Sequence, residues 1–159
     1  MLIKSQDEAI FVDTSAFYAL LDRDDRYHQQ AKPFWADLLD RDVTLMTSNY
    51  VVAETVSLLQ YRLGFEAASL WYRNILAILN IHWADPSTHR QAYELWAGLH
   101  RRRFSIVDCL SYIIMHQHHI DKAFCFKTNY VEQGFTVLPG LDNRLGYQPI
   151  RQTTAFDNP

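Results

Sequence analysis

Cysteine is scarce in this chain, and the little there is carries no pattern. Two cysteines occur in 159 residues, Cys109 and Cys125, both in apolar surroundings and without C-x-x-C spacing. That excludes a disulfide scaffold or a cysteine-based zinc site and leaves two free, buried thiols as the expectation. The five glycines are scattered and form no G-x-x-x-x-G-K pattern, so a phosphate-binding loop is excluded. Long hydrophobic runs are missing too. Before Asp13 only Ala9, Ile10, Phe11 and Val12 are apolar in succession. This is too short for a signal-peptide core or a membrane span, and a cytoplasmic location away from membranes is expected. Charge of one sign is not in excess: the formal charge is −3. Any nucleic-acid contact must therefore come from a local basic patch, for which Arg101-Arg102-Arg103 is the candidate. Repeats and low-complexity tracts are absent.

What is present suits a single globular domain. A hydrophobic content of 48 % with 21 % charged residues is enough to bury one core, expected over residues 1–140. From Gly140 onward the chain turns polar, with Gly, Pro and Asn scattered through it, and residues 141–159 read as a loosely attached tail or docking arm. Short β-type runs (Ala9–Val12, Val43–Met46, Ala123–Phe126, Phe135–Leu138) alternate with longer helical stretches, the pattern of an α/β fold with a parallel sheet. Two helices are expected at Asn49–Leu63 and Phe65–Leu79, broken at Gly64. Another is expected from Pro86 to Arg101, with Asp85 as N-cap, and a further one begins near Ser105.

Three acidic residues, far apart in sequence, stand out. Ile10-Phe11-Val12-Asp13-Thr14-Ser15 is an apolar strand delivering a carboxylate and two hydroxyls at its C-terminal end, where ligands sit in open α/β sheets. These residue types are also preferred N-caps. Glu54 follows Thr47-Ser48-Asn49, a strand end and helix start, and helical spacing places it on the face of Val51 and Leu58. A carboxylate there needs a metal or an ion-pair partner, such as Arg62 or Arg73. Asp108 lies in Ser105-Ile106-Val107-Asp108, which also fits a capping box. Three carboxylates brought together repel unless a cation neutralises them. A hard divalent ion such as Mg²⁺ or Mn²⁺ prefers oxygen ligands and can activate water against a phosphate, so phosphodiester hydrolysis is the chemistry these residues point to.

Val12-Asp13-Thr14-Ser15, Ala53-Glu54 and Asp108, in this order and at these positions, resemble the three motifs of the PIN-domain family, above all its VapC-like toxins, along roughly Ile10 to Leu138. The resemblance implies a three-layer α/β/α sandwich around a central parallel sheet and a Mg²⁺- or Mn²⁺-dependent endoribonuclease. It also implies the toxin role in a toxin–antitoxin pair, with a small antitoxin partner and a homodimer. Carried over, Asp13 and Asp108 are the principal metal ligands, Glu54 completes the acidic pocket, and Thr14 or Ser15 positions ligands or substrate. The chain departs from the family where a fourth acidic residue commonly follows the strand Ala123–Phe126: Lys127-Thr128-Asn129-Tyr130 stands there instead. Asn129 can take the fourth position through its carbonyl oxygen, Lys127 can supply part of the charge of a second ion, and one metal is expected rather than two. The same departure supports the alternative of a weak or inactive module that binds RNA or a protein.

Arg101, Arg102 and Arg103 precede Asp108 by a few residues and would hold RNA phosphates, or simply end a helix favourably. His116, His118 and His119 lack the ligand pattern of a zinc site and read as helix-end cations. Tyr61, Trp71 and Tyr72 read as packing residues. A phosphotransferase of the haloacid-dehalogenase type is excluded because Ser15 stands where its second aspartate would be.

Overall fold

The computed structural model describes residues 8–141. Its centre is β1 (Glu8–Val12), whose Ile10, Phe11 and Val12 are fully buried. A continuous apolar run suits a parallel strand covered on both faces. Around it stand β2 (Val43–Ser48), β3 (Asn80–His82), β4 (Lys122–Phe124) and β5 (Thr136–Leu138), all parallel, in the order β3-β2-β1-β4-β5. The helices are α1 (Thr14–Leu21), α2 (His28–Asp40), α3 (Asn49–Leu63), α4 (Phe65–Ile75), α5 (Pro86–Leu99), α6 (Ile106–Gln117) and the single turn α7 (Asn129–Glu132). Right-handed crossovers put the connections running toward β3 and those running toward β5 on opposite faces, giving the expected α/β/α sandwich.

Strand order reverses at β1: the chain leaves it toward β2 on one side and returns to β4 on the other. The crevice beyond the carboxyl ends of β1 and β4 is therefore the topological switch point, where such sheets bind ligands. Asp13 closes β1, and Lys127 and Asn129 follow β4, so all three arrive at this crevice.

Most expected elements are present, with informative differences. Gly64, at φ +92°, separates α3 from α4 as expected, in a backbone conformation that favours glycine. The second helix of this pair does not reach Leu79. It ends at Ile75, a 3₁₀ turn spans Leu76–Ile78, and Asn80–His82 becomes an edge strand that the sequence pattern did not reveal. Three residues are too few for period-two alternation to show. The helix after Asp85 stops at Leu99 because His100 adopts a left-handed conformation. The buried stripe of α3 is Val51, Val52, Thr55 and Leu59, and Glu54 and Leu58, one turn apart on the face that includes Val51, are half-buried at its border. Trp71 enters the core, whereas Tyr61 and Tyr72 stay on the surface. Cys109 and Cys125 are free and buried. Among the described residues no helix is long and apolar enough to cross a membrane. The proposed tail, apart from Leu141, lies outside the described residues.

Candidate active site

Asp13 is fully buried and is the N-cap of α1. Its backbone N–H donates to the Phe124 carbonyl at 3.1 Å, which locks the end of β1 to β4. Its carboxylate is fixed from three sides. Oδ2 accepts from the Ser15 backbone N–H at 3.0 Å and from the Ser15 hydroxyl at 2.7 Å, and Oδ1 accepts from the Tyr130 hydroxyl at 2.9 Å. The Ser15 oxygen in turn accepts from the Phe126 N–H at 3.0 Å, so the one proton of this buried hydroxyl points at Asp13.

Asp108 is held by the capping box of α6, as its sequence suggested. Oδ2 accepts from the Ser105 N–H at 3.0 Å, and the Ser105 hydroxyl oxygen accepts from the Asp108 N–H at 3.0 Å. The Asn129 side-chain amide adds a bond to the same Oδ2 at 3.2 Å. The helix terminus formed by this capping box is what aims the Asp108 carboxylate at Lys127.

Between the two aspartates stands Lys127, its Nζ 2.8 Å from Asp108 Oδ1 and 3.4 Å from Asp13 Oδ2. Glu54, half-buried on α3, faces this group, with the Thr14 hydroxyl and the Lys127 charge both favouring its ionised form. Arg73, one alternative partner, instead donates to the Ser69 carbonyl. The Thr55 hydroxyl donates to Thr14 at 3.2 Å and ties α3 to the start of α1.

The electrostatics separate the carboxylates. Burial pushes Asp13 up, but the Lys127 charge and the hydrogen bonds from Ser15 and Tyr130 outweigh it and hold its carboxyl below the usual range. Burial pushes Glu54 up as well, and there the negative charges of Asp13 and Asp108 help it, so Glu54 is more basic than an ordinary carboxylate. Lys127 is driven well above its usual value because Asp13, Asp108 and Glu54 overcome the cost of burying it.

Among the described residues, no three acidic, histidine or cysteine side chains close into a ready-made metal cage, and the Lys127 ammonium stands in the space shared by the two aspartates. The donor set nevertheless suits one hard divalent cation. The Oδ1 atoms of Asp13 and Asp108 each accept one hydrogen bond, from Tyr130 and Lys127 respectively, and a carboxylate oxygen offers two lone pairs. Three carboxylates facing one ammonium leave a formal surplus of two negative charges.

The fold therefore brings Asp13, Asp108 and Asn129 together, sets Glu54 and Thr14 beside them and encloses Ser15 beneath. Arg101 and Arg103 lie at the far end of α7, where both pair with Glu132, Arg101 at 4.0 Å; Arg102 is exposed. α7 is one turn long, so Asn129 at its start and Glu132 at its end are about 5 Å apart along the axis. Tyr130 and Thr55 were not singled out by the sequence. Tyr130, in the single turn α7, and Thr55, among the apolar residues of α3, carry no local signal that distinguishes a donor to the acidic pocket from core packing.

Residues 10–129 match the PIN domain. The 23S rRNA-specific endonuclease VapC20 of Mycobacterium tuberculosis is 32% identical over 127 residues, covering 79% of this chain and 95% of that protein. The crystal structure of the same protein, described as a Sarcin-Ricin loop cleaving toxin, superposes with a TM-score of 0.72 at 31% identity, over 80% of this chain and 96% of that one. The fold is shared more distantly with VapBC2 from Rickettsia felis bound to a DNA fragment from its promoter, at TM-score 0.59 and 13% identity over 81% and 96% of the two chains. It is also shared with FitAcB from Neisseria gonorrhoeae, at TM-score 0.58 and 17% identity over 80% and 95%. Extent of match, identity and superposition agree: the chain belongs to the PIN-domain family.

Proposed function

We propose that this chain is a divalent-metal-dependent endoribonuclease and the toxin of a toxin–antitoxin pair. The observation that carries the reading is the convergence of Asp13 and Asp108 at the switch point of the sheet, both within reach of a single point between them. The relative that is 32% identical is a 23S rRNA-specific endonuclease, so a structured loop of ribosomal RNA is the substrate to try first. Asp13, Asp108 and Glu54 would hold Mg²⁺ or Mn²⁺, with Asn129 in the fourth position. The ion would polarise the scissile phosphate and offset the charge that builds on its oxygens.

The chain's own residues supply the rest. Ser15 and Tyr130 fix the Asp13 carboxylate, and Ser105 and Asn129 fix that of Asp108, so neither has to reorganise during reaction. Glu54, which faces Asp13 and Asp108 from α3, is placed to take the proton of the attacking water. Thr14 orients Glu54, and Arg101 to Arg103 hold the RNA backbone beyond α7. A small antitoxin and a second copy of the chain are the expected protein partners.

The test is cleavage of a ribosomal RNA loop and control RNAs with Mg²⁺, with Mn²⁺ and with chelator. We expect metal-dependent cleavage, reduced at least about 100-fold in Asp13→Asn and Asp108→Asn, since losing one group that stabilises transition-state charge costs that much. Cleavage undiminished in both variants would remove these residues from the reaction. Lys127, already seated between the aspartates, favours a second reading, an RNA-binding module without activity. RNA binding without cleavage under any metal would establish that reading.

A further inference from the structure

Lys127 is the residue the reaction does not need and the pocket cannot ignore. Its side chain is largely enclosed, at 17% exposure, and its ammonium lies within ion-pair distance of two aspartates that are themselves essentially inaccessible. Burying two carboxylates side by side is strongly unfavourable unless a cation stands between them. In this chain the cation is covalently attached. The backbone delivers it: Phe126 is tied through its N–H to Ser15, Asn129 is tied to Asp108, and Lys127 is carried between these two anchors.

We propose that the Lys127 ammonium is a resident counter-ion of the acidic pocket, which takes the place of one divalent cation and limits the site to a single one. The inference rests on the divalent-ion reading above and adds two properties to it. The first is stoichiometry. With Lys127 in place, one divalent ion brings the three carboxylates to neutrality, and a second would leave a buried excess of positive charge. The second is independence of folding from metal, because the aspartates remain compensated when no ion is bound.

The experiment uses the full chain and Mn²⁺ as probe. Bound Mn²⁺ is counted by electron paramagnetic resonance titration, and melting temperature is recorded in chelator and in saturating Mn²⁺. The wild type should bind one Mn²⁺ per chain, unfold cooperatively in chelator, and gain in Mn²⁺ only about 5–10 °C, the mass-action rise of one site at about 100 times its dissociation constant. Lys127→Met keeps the length and removes the charge. It should melt about 10 °C lower in chelator, as expected for stranding a buried ionic partner, recover most of the loss in Mn²⁺, and bind a second ion or bind the first at least about tenfold tighter. Lys127→Arg should retain wild-type stability in chelator.

A wild type that binds two Mn²⁺ overturns the inference and leaves the nuclease reading standing. A wild type that binds none overturns both. Equal melting of Lys127→Met and wild type in chelator, with unchanged Mn²⁺ affinity, overturns the counter-ion role alone. Should Lys127→Met fail to fold in either condition, the wild-type stoichiometry and the stability of Lys127→Arg decide.

Discussion

Tyr130 shows how closely a single neighbour can govern a buried carboxylate. Its hydroxyl is the donor to Asp13 Oδ1, and its ring stands edge-on to Tyr112 with centroids 5.0 Å apart. Tyr130→Phe keeps the ring and removes the donor, leaving a charged acceptor short of one bond in a place that water does not reach. We expect a loss of about 1.5–3 kcal/mol, the range for hydrogen bonds to charged groups, read as a lower urea midpoint with an unchanged slope. A loss below about 0.5 kcal/mol would mean that Ser15 and Lys127 alone suffice for Asp13. The residues of this site were unequally legible for a physical reason. Asp13 and Asp108 are both helix-capping residues and candidate ligands, so local sequence marks them twice. Glu54 was marked once, by its place beside apolar neighbours. Tyr130 acts only through a contact between α7 and the start of α1, and such a contact leaves no trace in local spacing.

At the scale of elements, the α/β alternation and the break at Gly64 were legible because apolar periodicity and a glycine terminator are local signals. The edge strand β3 was not, since its pairing with β2 over Asn80, Ile81 and His82 is decided by tertiary contact. His82 ends that strand and faces His118, the C-terminal cap of α6, with Nδ1 3.0 Å from Nε2. The three neighbouring histidines of this region thus contribute a strand-to-helix contact as well as a helix end. Burial and the charge of His118 hold His82 below the ordinary imidazole value of 6.5, against the opposing pull of Asp85. The unfolded chain then binds this proton more readily than the folded one. The stability is complete above about pH 6.5 and is lost as pH falls toward the lower value of the folded protein. His82→Asn lacks that proton site, so the urea midpoint of the wild type should fall more between pH 7.5 and 5.5 than that of the variant. Parallel declines would show that His82 is not responsible.

For the molecule as a whole, a formal charge of −3 means that RNA is not drawn in by net charge. Attraction has to be local, and the local supply is small: Arg101 and Arg103 share Glu132, with Arg103 also lying 5.3 Å over the Phe104 ring. Three arginines can neutralise at most three phosphates, and a single strand releases about 0.7 counter-ion per phosphate. In an Asp13→Asn background, where cleavage does not interfere, the affinity for a single-stranded RNA loop should therefore fall with salt at a log–log slope of about −2. Glu132→Gln removes the competing carboxylate and should raise affinity several-fold at low salt, the gain fading at high salt as screening grows. Replacing Arg101 and Arg103 together by alanine should flatten the slope by about 1.4. A slope steeper than about −5 in that background, or one untouched by the double replacement, would mean that the RNA lies across another face, and the path from Glu132 along α7 to Asn129 and Asp108 would not be the route by which the backbone reaches the acidic pocket.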